Sequence, residues 1–176
     1  MTSDSSGFPG KSDTPLGFKT HDHDHCMSES IDVAEARAAA ENFRLTPVRR
    51  KVLEILLQEH RALGAYAILD KLRDAGFGSQ PPVAYRALDF LVSHGFAHRI
   101  ERLNAFVACA HPGETHAPAF MICRACEGVA EAPSAPARSA LNDAARAAGF
   151  QIECTMVEAE GLCSDCAEGE VSEAAR

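Results

Sequence analysis

No stretch of this 176-residue chain is apolar for long enough to span a bilayer, so no transmembrane helix is expected. Residues 1–20 lack the basic-then-apolar pattern of a secretory signal, being dominated by Gly, Ser, Pro and Asp with scattered Lys. The expected location is therefore the cytoplasm, where thiols stay reduced. The seven cysteines are an odd number, which does not suit a fully paired disulfide framework. No internal repeat is evident. An excess of positive charge is missing as well: the formal net charge is −8, which taken alone argues against a nucleic-acid partner.

Two Cys-x-x-Cys pairs are present, Cys123-Arg124-Ala125-Cys126 and Cys163-Ser164-Asp165-Cys166. Each such knuckle can place two sulfurs about 2.3 Å from one metal, and two knuckles complete a tetrahedral Zn²⁺ shell. The 36 residues between the pairs exceed the spacing of a small zinc finger. A zinc ion here is expected to staple a whole domain. The competing reading is ordinary buried or redox-active cysteine.

The distribution of charge tempers its total. Residues 44–102 carry ten basic and six acidic groups, whereas the segments on both sides are acidic. A basic segment between acidic ones can present a local DNA-facing patch, although a solvated mixed-charge surface is the plain alternative.

Residues 1–27 have turn-forming composition and are expected to form a disordered tail. It ends in His21-Asp22-His23-Asp24-His25-Cys26, which reads either as a weak metal-binding tract or as an unselected tail. Helix propensity is good from Ser28 to about Asn42. Thr46-Pro47 reads as an N-cap followed by a first-turn proline, with Val48, Val52, Ile55 and Leu56 as the buried stripe. A helix over 65–75 stops at Gly76; Ile68, Leu69 and Leu72 face inward, and Tyr66, Asp70 and Arg73 share the opposite face. The next helix runs from about Pro82 to His94-Gly95. Its core face is Ala84, Leu88, Leu91 and Val92, which leaves Tyr85, Arg86 and Asp89 outward.

Two extended runs, 96–101 and 105–109, follow around a turn at Leu103-Asn104. Helices followed by such a hairpin predict a winged helix-turn-helix over 28–109, whose last helix enters the major groove. A Pro- and Gly-containing hinge, 110–118, leads to a small α/β unit over 119–166. Its expected elements are strands at 119–122, from Val129 and over 150–158, with a helix over 136–148. The tail after Cys166 is acidic and expected to fray. Cys154 is expected at a buried apolar position.

Leu45-Thr46-Pro47-Val48-Arg49, Gly64-Ala65-Tyr66, Pro81-Pro82 through Leu91, and Gly95 through Glu101 resemble, in order, the DNA-binding motifs of the ferric uptake regulator family. Within that family the chain is most similar to the zinc uptake regulator branch. The resemblance covers roughly residues 28–166. It implies an α+β fold, with the winged domain followed by an α/β dimerisation domain holding the four-cysteine zinc. It further implies a homodimer that represses transcription from a palindromic operator, with one or two dimers per site. Tyr85, Arg86, Tyr66 and Arg49 are then expected at DNA, Arg49 as a phosphate clamp. Asp70 and Arg73 are expected to pair between neighbouring dimers. The family's Pro-Thr-Val-Tyr-Arg is here Pro82-Val83-Ala84-Tyr85-Arg86; the missing threonine is expected to remove a helix cap and a phosphate contact.

The resemblance also implies a regulatory zinc site made of His98, Cys109, His116 and Glu131, which with the four-cysteine site gives two Zn²⁺ per subunit. One thiolate, two imidazoles and a carboxylate suit Zn²⁺. Taken singly, a wing histidine is usually a surface residue and a lone cysteine a small core group. His111 is a nearby spare that could replace one ligand. Other readings are an iron, manganese or peroxide sensor of the same family, and a zinc-storing or redox-switching interaction protein. A Cys-His hydrolase is disfavoured, because Cys109 and Cys154 lack a local nucleophile signature. No enzymatic activity is expected.

Overall fold

The structure is a computed structural model that describes residues 23–168, with the exception of 60, 79 and 113–115. The expected disorder of residues 1–22, the first part of the His-Asp tract and the fraying of 169–176 lie outside the described residues. Helix α1 spans His23–Ala40, so the helix begins five residues before the expected boundary at Ser28. Elongating a nucleated helix adds one hydrogen bond per residue fixed, which favours this backward extension.

Helix α2 spans Pro47–Gln58, and the Thr46 hydroxyl accepts a hydrogen bond from the Arg49 N–H as its cap. Val52, Ile55 and Leu56 are buried and Val48 is half-buried. A two-residue strand, β1 (Leu63–Gly64), leads directly into α3 (Ala65–Asp74). Helix α4 spans Pro81–Ser93. It buries Ala84, Ala87, Leu88 and Leu91 at i, i+3, i+4 and i+7, whereas Val92, expected in the core, is exposed. Val92 lies one position beyond that stripe, so Ala87 takes the inward place instead. Gly76 and Gly95, at φ 78° and 71°, end α3 and α4 in the left-handed conformation that glycine adopts without a Cβ clash.

The wing is the hairpin β2 (Ala97–Ile100) and β3 (Ala105–Ala108), with β1 added as a third strand by the Leu63–Phe106 pairing. Asn104, at φ 46°, makes its turn. One core unites α1–α4 with Leu63, Phe96, Ala97 and Phe106.

The second sheet has the order β5-β4-β6, with β4 at Pro118–Cys123, β5 at Val129–Pro133 and β6 at Val157–Gly161. Helix α5 (Ala135–Ala147) connects β5 to β6, which runs parallel to β4. The strand expected over 150–158 therefore lies later, because residues 150–156 are taken up by the return from α5 to the sheet. Cys154 lies in this return and is exposed rather than buried. A smaller apolar cluster of Ile100, Phe120, Ile122 and Val129, with Ala62, Leu103 and Val107 against it, joins the wing to the second sheet.

Candidate metal centre

Parallel pairing of β4 with β6 explains how knuckles so distant in sequence meet. Cys123 ends β4 opposite Gly161, which ends β6, so the two loops leave the same end of the sheet. The Arg124 N–H donates to the Gly161 carbonyl at 2.9 Å and ties the loops together. Glu127, at φ 58°, turns the first knuckle back towards β5. The Sγ atoms of Cys123, Cys126, Cys163 and Cys166 lie within 4.8 Å of one another. Cys126 and Cys163 are 3.9 Å apart, close to the edge of about 3.8 Å expected between sulfurs of a tetrahedral zinc. The Cys163 N–H, 3.4 Å from the Cys123 sulfur, is the main cause that lowers the Cys123 thiol to about 6. Hydrogen bonding to Cys163 and then Cys123 raises Cys166 to about 12. The set thus favours a first thiolate in place, with further protons displaced by a cation.

The second cluster forms where the wing, the hinge and the second sheet converge. His98 lies on β2, Cys109 just after β3, His116 in the hinge and Glu131 on β5. Their donor atoms also lie within 4.8 Å of one another. The Cys109 sulfur is 3.5 Å from His116 Nε2, close to the roughly 3.6 Å edge of a tetrahedral S,N pair. His116 Nε2 is 2.6 Å from one Glu131 oxygen, and the other Glu131 oxygen lies 3.7 Å from His98 Nε2. That second oxygen also accepts a hydrogen bond from the Ala110 N–H at 3.0 Å.

His98 Nε2 is buried with no hydrogen-bond partner. A buried ring nitrogen without a hydrogen-bond partner, aimed among a thiol, an imidazole and a carboxylate, suits a metal ligand. Burial pushes His98 below the usual imidazole range; Glu131 opposes this and His116 adds to it. A neutral imidazole is the form that binds a metal. The donor set therefore fits Zn²⁺. His111 Nδ1 is 3.7 Å from Glu131, at the rim of the site, but does not belong to the four converging donors. The Ala110 contact was not legible in the sequence, since a backbone N–H carries no residue-type signal.

On the winged domain, Tyr66 is 73% exposed on α3, and Tyr85 and Arg86 project from α4. Arg49 is more constrained: its guanidinium donates to the Arg44 carbonyl at 2.6 Å and stacks 3.6 Å over the Phe90 ring. Asp70 and Arg73 are exposed and pair with each other at 2.9 Å. Val83 is not at the cap of α4. Gln80 holds that place, with Pro81 and Pro82 in the first turn, so the missing threonine costs no N-cap.

No family model matches the chain. The zinc uptake regulation protein of Escherichia coli (strain K12) is 38% identical over 143 residues, covering 81% of this chain and 84% of that protein. A solved zinc uptake regulator complexed with zinc and DNA superposes with a TM-score of 0.78 at 38% identity, covering 82% of this chain and 97% of that one. Holo XcZur superposes with a TM-score of 0.71 at 38% identity, covering 80% of this chain and 98% of the other.

Proposed function

The chain belongs to the zinc uptake regulation proteins of the ferric uptake regulator family, and from that premise we propose that it is a DNA-binding transcriptional repressor with zinc as its corepressor. Its targets on this reading are genes of zinc uptake and homeostasis. The observation that carries the reading is the convergence of four zinc-type donors from both sides of the hinge, one of them an orphaned buried nitrogen.

The two metal groups have different tasks. Cys123, Cys126, Cys163 and Cys166 would hold a permanent zinc that closes the end of the β4–β6 sheet. His98, Cys109, His116 and Glu131 would hold the sensed zinc, which would supply a crosslink between wing and second sheet. His98 belongs to the wing, while Glu131 belongs to the second sheet, so bringing them together would fix the angle between the domains. A ligand shifts such an equilibrium only through tighter binding to one arrangement. Cys109 favours zinc over an iron site of nitrogen and oxygen donors.

Tyr85 and Arg86 on α4 are suited to base edges, the guanidinium as a bidentate donor to guanine. Tyr66 on α3 and the remaining N–H groups of Arg49 would contact the backbone. Asp70 and Arg73, exposed and paired within one helix, could exchange partners with a neighbouring dimer. Support for a homodimer comes from α5, which has no buried residue, and from exposed Leu141, Phe150 and Met156 in the same domain. A two-fold dimer would read a palindromic operator.

The test is DNA binding by the purified protein as free zinc is varied. Binding above a zinc threshold, falling steeply with salt, is expected. Equal affinity with and without a strong zinc chelator would sink the switch.

A further inference from the structure

The wing is tied to the second sheet at a point that involves no metal donor. Glu158, on β6, accepts hydrogen bonds from two successive backbone N–H groups of the wing turn. Glu101 N lies 2.8 Å from one carboxylate oxygen and Arg102 N lies 3.1 Å from the other. Two residues along the same strand, Glu160 accepts from Arg102 Nε at 2.6 Å. Side chains at i and i+2 of a strand share a face, so β6 presents both carboxylates to the turn together. Beside them, Ile100 and Leu103 of the wing pack with Phe120 and Ile122 of β4.

A scattered surface ion pair has no such fit. Here one carboxylate spans two consecutive amide N–H groups from another part of the chain, which is charge-assisted and directional.

We propose that Glu158, seconded by the Arg102–Glu160 pair, is a positioning residue that holds the wing against the second sheet before zinc arrives and thereby sets the zinc threshold. The proposal rests on the reading of His98, Cys109, His116 and Glu131 as the sensed zinc site. Apparent affinity is reduced by the fraction of molecules in the binding-competent arrangement. A latch that raises that fraction lets the four donors capture zinc at a lower concentration. Because Glu160 and Arg102 are exposed and Glu158 is only half-buried, the effect is moderate, about three- to tenfold in zinc affinity.

The experiment compares the full-length wild-type chain with Glu158→Ala and Glu160→Gln. The zinc affinity of the weaker site is measured without DNA, by competition with a chromogenic chelator. Binding to a DNA fragment selected from random sequence by the wild type in zinc is measured alongside. Glu158→Ala is expected to bind the weaker zinc three- to tenfold less tightly and to shift the DNA-binding midpoint by the same factor. Its DNA affinity at saturating zinc should equal the wild type's. Unchanged zinc affinity, or DNA affinity that saturating zinc does not restore, would overturn the proposal. Should Glu158→Ala fail to fold, Glu160→Gln decides: a smaller shift in the same direction supports the latch, and none refutes it. Zinc-independent DNA binding by the wild type would defeat the functional reading instead, and the DNA-free measurement would still judge the latch.

Discussion

His116 Nε2 and Glu131 Oε1 lie 2.6 Å apart, joining the hinge to the middle of β5. The contact is a hydrogen bond in which a ring N–H of His116 donates to the carboxylate. The hinge is therefore held against β5, with the ring of His98 nearby at 5.4 Å between centroids. On the proposed zinc reading, a site preorganised in this way would have little to rearrange on metal binding.

Cys109→Ser is expected to abolish zinc-dependent DNA binding and to lower zinc content from two ions to one per chain. Serine is isosteric but a poor zinc ligand, and Cys109 is buried without belonging to the main apolar core. Thermal unfolding in chelator should be close to that of the wild type. A variant that unfolds would make Cys109 structural.

Cys123→Ser should act in the opposite way. It removes a sulfur at the junction of β4 and the knuckle, where Cys123 also receives the Cys163 N–H. Structural zinc binding is folding free energy on the order of 10 kcal/mol in small zinc domains, so the second domain should lose cooperative unfolding. Retention of two zinc ions with an unchanged melting temperature would refute this assignment.

Arg86→Ala is expected to weaken specific DNA binding by about 1–3 kcal/mol and to relax preference at one base position. Tyr66→Phe, on the exposed face of α3, should weaken all sequences alike. Competition binding against operator variants separates the two. An Arg86→Ala protein with unaltered sequence preference would remove Arg86 from base readout.

Phe150→Glu is expected to shift the protein towards monomer in sedimentation experiments. Phe150 is 69% exposed beside a helix with no buried face, so a charge there would disrupt a dimer interface while leaving the folded chain intact. An unchanged dimer would place the interface elsewhere.

Much of the winged domain was legible because its signals are local. Thr46-Pro47 caps α2 through a bond spanning three residues, and the stripe of Ile68, Leu69 and Leu72 follows from helical period alone. Less was legible where neighbours far away in sequence decide. Val92 sits at the edge of its helix stripe and only the packing of α4 leaves it outside. The guanidinium of Arg49 is drawn onto Phe90, a residue of a different helix. Cys154 falls in a run of strand-like residues that pairs with β4 only from Val157 onward.

The sequence by itself determined the chemistry on offer: two cysteine knuckles, a mixed set of nitrogen, sulfur and oxygen donors, and helices whose caps and periods are written within a few residues. Only the tertiary structure decided which donors meet. The parallel β4–β6 register brings the knuckles together, the wing and hinge deliver His98, Cys109 and His116 to Glu131, and β6 places Glu158 under the wing turn. The physical reason is range. Helix and cap hydrogen bonds close over three or four residues, whereas each of these convergences depends on strand pairing and apolar packing between segments tens of residues apart.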